Sequence, residues 1–287
     1  GEMIWRVPVE ILRYAAFPDA PGGGNPAGVV LEAGGLSASQ MLEIAADVGF
    51  SETAFAVQRA EPGSFDVRYF APGAEVPFCG HATIATAVAL ADRDGVGEIE
   101  LHCAPGVVRV GTASGPDGTV ATLTSVPPQV EEPPAGLLDG VLAALGWAAA
   151  DLEDELPPRV AFAGARHLVL GVRTRERLAR LDYAFDALRD LCLEHDLITV
   201  DLVWREDPVT FHARNPFPVG GVVEDPATGA AAAAFGGYLR ELGILTPPAT
   251  ITVLQGADMG RPSRLTVELV PGSPGVRVSG TAVPISA

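Results

Sequence analysis

The sequence predicts an α+β protein of two pseudo-symmetric lobes, each a mostly antiparallel sheet wrapped around a central alanine-rich helix. Three observations lead there. Short segments alternate apolar and other residues with the period of a strand, and Gly- and Pro-rich turns separate them. Two alanine-rich helices, "GHATIATAVAL" from Gly80 and "TGAAAAAFGGYLRELG" from Thr228, carry small side chains that suit enclosure by sheet. A Glu-x-Pro-x-x-Gly stretch leads into both: a shift of 149 residues lays Glu75, Pro77 and Gly80 on Glu224, Pro226 and Gly229, and Leu90 on Leu239. A repeat at the same point of a strand–loop–helix pattern indicates a duplicated unit.

The elements follow in order. "VPVEILRYAAF" (residues 7–17) reads as a strand, and the turn "PDAPGGGNP" leads to a second at "AGVVL". "SASQMLEIAADVGF" reads as a helix, with Ser37 or Ser39 near its cap and Gly49 past its end. "SETAFAVQ" and "FDVRYFAP" form a hairpin-like pair before the first alanine-rich helix, which runs to about Leu90. Strands at "GEIELHC", "GVVRVGT" and "TVATLTSV" complete the first lobe, residues 1–125. "PPQVEEPPAG" is a Pro-rich acidic connector into the second lobe, residues 126–275. That lobe holds helices at "LLDGVLAALGW" and "FDALRDLCLEHD" and strands at "HLVLGV", "ITVDLVW" and "VTFHARNP". Its alanine-rich helix and strands "ATITVLQG" and "SRLTVELV" follow. A last strand near residues 276–287 is expected to complete the first lobe.

Composition narrows the function. At 287 residues and 48% hydrophobic, the chain has core material for two units. A net charge of −17 argues against nucleic acid or an anionic membrane as partner, while a small anionic substrate can still be held by local groups. All 19 basic residues are Arg, which excludes a pyridoxal-phosphate Schiff base and a Walker-type loop. Three cysteines form no disulfide framework and point to a reducing compartment. No apolar run approaches the length of a membrane span, and the N-terminal residues lack a basic-then-apolar pattern, so a cytoplasmic protein is expected.

Chemistry is expected at the helix mouths. Free N–H groups and partial positive charge at a helix N-terminus favour a carboxylate. Two such ends facing across a cleft would bind one well. Cys79, Gly80 and His81 stand at the first mouth; Thr228, Gly229 and Ala230 stand at the second.

The blocks "GNPAGVV", "SETAF", "EVPFCGHAT", "RHLVL", "DPATGAA" and "QGADMGRPSRL" together resemble the phenazine-biosynthesis isomerase (PhzF-like) family, in family order over most of the chain. The resemblance implies a diaminopimelate epimerase-like fold of two lobes, each a curled sheet around a helix. It also implies a homodimer and proton transfer at carbon with no cofactor and no metal. Glu52 matches the family's catalytic carboxylate, which takes a proton from one carbon and returns it at another. His81 and Asp225 match its neighbours, which orient a substrate hydroxyl or amine. Asn25 would be a substrate-side or loop-fixing residue. Ser51, Thr228 and the amides around Gly80, Gly229 and Ala230 would hold a substrate carboxylate, with Cys79 beside them. Met259 and Gly260 are placed on a cleft or dimer-side loop, and Phe78 and Phe217 in ordinary packing.

Two departures matter. The epimerase branch of this fold carries an opposed pair of thiols at the two mouths; here Cys79 has Thr228 as its counterpart, which cannot act as a base near neutral pH. The family's second mouth reads Asp-Pro-x-Thr-Gly-Ser, and this chain has Ala230 in the serine position. The expectation is thus an isomerase acting on a small carboxylate-bearing metabolite. An epimerase or racemase using Cys79 and Glu52, or a silent small-molecule-binding dimer, are the alternatives.

Overall fold

The computed structural model describes residues 8–286. The first repeat comprises β1 (Leu12–Ala16), β2 (Asn25–Val30), α1 (Ala38–Val48), β3 (Glu52–Gln58), β4 (Ser64–Phe70), β5 (Glu75–Val76) and α2 (Gly80–Asp94). It ends with β6 (Glu98–Cys103), β7 (Gly106–Gly115) and β8 (Gly118–Thr124). After β9 (Gln129–Glu131) and α3 (Leu137–Leu145) come β10 (Arg159–Phe162), β11 (Arg166–Gly171), α4 (Arg175–Ala179), α5 (Phe185–Glu194) and β12 (Thr199–Asp207). The chain closes with β13 (Thr210–Phe217), β14 (Val222–Asp225), α6 (Gly229–Glu241), β15 (Ala249–Gln255), β16 (Ser263–Leu269) and β17 (Arg277–Pro284).

The pairing pattern repeats strand for strand. β1 runs antiparallel to β2, β2 parallel to β3, β3 antiparallel to β4, and β4 antiparallel to β5 but parallel to β6. β10 through β15 pair with the same alternation of directions. β17 pairs with β16 and also with β1 and β8, so the C-terminal strand is shared between the two curled sheets. This is a mixed α+β architecture with a barrel-like sheet around each central helix.

The alanine-rich helices sit where small side chains are required. Every residue of α2 from Gly80 to Ala91 is buried, and its neighbours include β1, β2, β3, β7, β8 and β17. In α6, a Cβ on Gly236 would come within 2.7 Å of Val276, and one on Gly237 within 2.4 Å of Pro128. Alanine also has the highest helix propensity, so packing and local preference agree.

Several boundaries differ from the sequence expectation. The first strand covers only Leu12–Ala16, because Phe17 turns into the left-handed region (φ 62°) and ends the ladder; Val7 lies outside the described residues. The Pro-rich connector contains β9, kept to three residues by the prolines on either side and paired with β10. The four-residue strands β10 and β14 and the five-residue α4 are too short to show a period. Helix α1 is capped as expected: Ser37 accepts from the Gln40 amide, Gln40 returns the bond, and Gly49 is left-handed. No helix among the described residues is long and apolar enough to cross a membrane.

Candidate active site

The two helix mouths meet. A Cβ on Gly80 would lie 2.5 Å from the Ala230 nitrogen and 2.7 Å from the Gly229 Cα, so only glycine lets the N-termini approach this closely. The first turns leave the amides of Gly80 to Ala82 and Gly229 to Ala231 without an intrahelical acceptor. Thr228 spends no side-chain bond on them, and at Cys79 only the Ala82 amide turns to the sulfur, so the remaining amides stay unspent among the described residues. Threonine is a good cap, yet the Thr228 hydroxyl donates to Asp225 Oδ2 at 2.7 Å instead. Two partial positive charges thus converge on one point, an arrangement that favours a negative ligand.

Glu52 opens β3 and is buried there. Its Oε2 has no hydrogen-bond partner among the described residues, and lies 3.5 Å from His81 Nε2. Burial pushes the carboxyl up to about 8, the nearby Asp225 charge pushes the same way, and Ser51 and Cys79 pull back. His81 is pushed down to about 3 by its own burial, against the pull of the Pro26 carbonyl, so its contact with Glu52 joins neutral groups and is not an ion pair. Cys79 Sγ lies 3.1 Å from His81 Nδ1, and Ser51 Oγ 3.5 Å from Nε2. The Cys79 thiol is held protonated, first by burial and then by the Glu52 charge.

Asp225 ends β14 and is clamped from three sides. Asn25 Nδ2 donates to Oδ1 at 2.7 Å and to the Ala227 carbonyl at 2.8 Å; Thr228 holds Oδ2. Gln255 locks the same corner, accepting from the Thr228 amide and donating to the Asp225 carbonyl. Burial raises this carboxyl to about 7, and the bonds from Thr228 and Asn25 oppose the shift.

A cavity of about 20 Å³, room for roughly one water, lies between the mouths. Its wall includes Glu52, Cys79, Gly80, His81, Asp225, Thr228, Gly229 and Ala230. Asn25 and Ser51 stand behind that wall, one fixing Asp225 and the other touching His81. The open cleft expected from the sequence is closed here, because the glycines allow the helices to abut. Phe78 and Phe217 line the cavity as well as filling the core around it. Met259 and Gly260 are not part of this wall. Gln255, two residues before the loop that carries them, reaches the site. Sequence reasoning passed over Gln255, and also His167 and Thr199, which complete the wall from the second repeat. Glu52, Cys79 and His81 hold potential ligand atoms within 4.8 Å of one another, a donor set that zinc accepts.

The model of the family described as "Phenazine biosynthesis-like protein" matches residues 14–287. The chain belongs to that family. It is 31% identical to the trans-2,3-dihydro-3-hydroxyanthranilate isomerase of Pseudomonas chlororaphis over 86% of each chain. It superimposes on the phenazine biosynthesis protein of Bacillus anthracis with a TM-score of 0.83 at 26% identity, covering 97% of both. The hydroxyproline epimerase of Agrobacterium vitis shares the fold alone, at a TM-score of 0.70 and 14% identity over 99% of this chain and 92% of that one. Membership of the phenazine biosynthesis-like family, with relatives named isomerases, makes this chain an isomerase.

Proposed function

We propose that this isomerase moves a proton between two carbons of a small carboxylate-bearing metabolite, without cofactor or metal. Glu52 carries the proton, and His81 and Asp225 orient the substrate's polar groups. The observation behind this reading is Glu52 itself: a buried carboxyl, one oxygen without a partner, set at two converging helix mouths. Burial brings its affinity for a proton into the working range, where one group can both take and return it. The unspent amides of Gly80, Gly229 and Ala230 suit a carboxylate, with Cys79 and Thr228 at the caps.

Lobes of residues 1–125 and 126–275, with residues 276–287 completing the first, belong to the same proposal, as do a homodimer and a cytoplasmic setting. The cysteine epimerase has one observation in its favour, the 3.1 Å contact of Cys79 with His81. The raised thiol and the Thr228 counterpart argue against it.

The test is proton NMR in deuterated buffer with unsaturated amino- and hydroxy-carboxylates, on wild type and Glu52→Gln. Isomerisation or label exchange lost in Glu52→Gln and kept in Cys79→Ala supports the reading. Exchange lost in both Glu52→Gln and Cys79→Ala favours the epimerase, which needs both groups.

A further inference from the structure

Two polar atoms on the wall of the central cavity have no hydrogen-bond partner among the described residues. One is Glu52 Oε2, from the first repeat. The other is His167 Nε2, from the second. His167 is fully buried on β11. Its position follows from the duplication. Ala27 of β2 pairs with Glu52 of β3, and His167 of β11 pairs with Thr199 of β12 at the matching place in the second repeat. The second repeat therefore faces the cavity with a histidine where the first has alanine, and a threonine where the first has its carboxylate.

A chain of hydrogen bonds sets the histidine's tautomer. Asp201 Oδ1 accepts from Asn215 Nδ2 at 3.0 Å, which turns the Asn215 carbonyl oxygen toward Thr199. The Thr199 hydroxyl gives its single hydrogen to that oxygen at 2.7 Å. It must then accept at its 2.7 Å contact with His167 Nδ1. The proton is on Nδ1, and Nε2 is left as a bare lone pair. Burial also keeps this imidazole neutral.

We propose that His167 Nε2 is a substrate-contacting acceptor for a hydroxyl or amino group, held on the wall supplied by the second repeat while Glu52 works from the first. Asp201, Asn215 and Thr199 are positioning residues that hold the imidazole in the accepting tautomer. The proposal rests on the isomerase reading above, and it restricts the substrate to acids with a hydrogen-bond-donating substituent.

Two measurements test it. Imidazole ¹⁵N chemical shifts of the free protein, recorded above the range in which Asp201 titrates, should show Nδ1 protonated and Nε2 bare; the opposite tautomer overturns the proposal. Calorimetry should then compare benzoate with 3-hydroxyanthranilate, the aromatic counterpart of the substrate named for the Pseudomonas chlororaphis relative. Wild type should favour the substituted acid. His167→Asn keeps an N–H for Thr199 but has nothing at the Nε2 position, and should shrink that preference about three- to tenfold with benzoate unaffected. His167→Gln, whose amide reaches further, should restore part of it. Thermal unfolding confirms that both variants fold. Binding with an unchanged preference in His167→Asn overturns the acceptor role and leaves the isomerase reading intact. If wild type binds neither acid, the acceptor role falls, and the isomerase reading is decided separately by deuterium exchange in Glu52→Gln.

Discussion

The two helix mouths share a backbone and differ in almost every side chain that faces the cavity. Cys79 is matched by Thr228 and His81 by Ala230 through the 149-residue repeat. Strand register matches Glu52 with Thr199. Asp225 has Val76 as its counterpart. Duplication thus provides unspent amides from both helices, the seat proposed above for a carboxylate. The buried carboxyls are asymmetric: Glu52, the proposed proton carrier, comes from one repeat and the clamped Asp225 from the other. On the proposed reading the fold supplies the carboxylate seat, and single residues supply the proton transfer and the contacts to the substrate's other groups.

The hardest test of that asymmetry compares Glu52→Gln with Thr199→Val. Glu52→Gln should lower deuterium exchange about a hundred- to ten-thousandfold, the usual worth of a positioned acid–base group. Thr199→Val removes the counterpart and should cost less than tenfold, through His167 alone. Equal losses, read from initial rates of label incorporation, would mean that both walls carry protons.

The glycines at the mouths give the next largest contrast. A methyl on Gly80 meets backbone at 2.5 Å, whereas one on Gly229 meets Gly80 at 3.1 Å. Backbone atoms cannot rotate aside, so Gly80→Ala should destabilise by about 1–3 kcal/mol in urea unfolding, and Gly229→Ala by less. Similar values for the two would show that the helices move apart freely.

How much of this the sequence revealed follows from what periodicity can carry. The helix mouths were legible because the repeat fixes Gly80 and Gly229 on an unbroken pattern. Glu52, His81 and Asp225 were legible through motifs, and the structure brings all three to one cavity. The contact between the mouths was hidden, since it depends on how two curled sheets meet across β17. His167 lies within "RHLVL", a block whose local pattern assigns it no role. Its importance lies in a bond to Thr199, 32 residues away, which no local pattern encodes. Gln255 was missed for the same reason.

pH offers a smaller effect with a definite sign. The folded protein holds the Glu52 proton up to about 8, while the unfolded chain releases it near 4.5, so this group's contribution to stability is lost as pH rises through that window. His81 and His167 act oppositely. Their folded values near 3 mean that unfolding takes up protons only below about 6.5. Asp225 and Asp201 follow the Glu52 sign but stop at about 7. Between 7 and 8 the Glu52 proton therefore dominates among these groups, and stability should fall with a slope of up to about 1.4 kcal/mol per pH unit. Urea unfolding of Glu52→Gln should be flatter there; an unchanged slope would place the titration elsewhere.

The gentlest change is Ala230→Ser, which restores a hydroxyl at the second mouth, opposite His81 in the repeat. Ala230 is buried on the cavity wall and its amide is one of the unspent donors. If a ligand carboxylate sits on these amides, the serine hydroxyl adds one hydrogen bond to a charged group, and affinity for benzoate should rise several-fold. The added oxygen also takes up space in a cavity with room for roughly one water, so the gain is expected only if the mouths separate to admit the ligand. Calorimetry on the single variant distinguishes the two cases. Tighter binding places the carboxylate at the helix mouths. Weaker binding with unchanged thermal stability means that the hydroxyl takes the place of the ligand, and that the seat is as narrow with ligand bound as it is here.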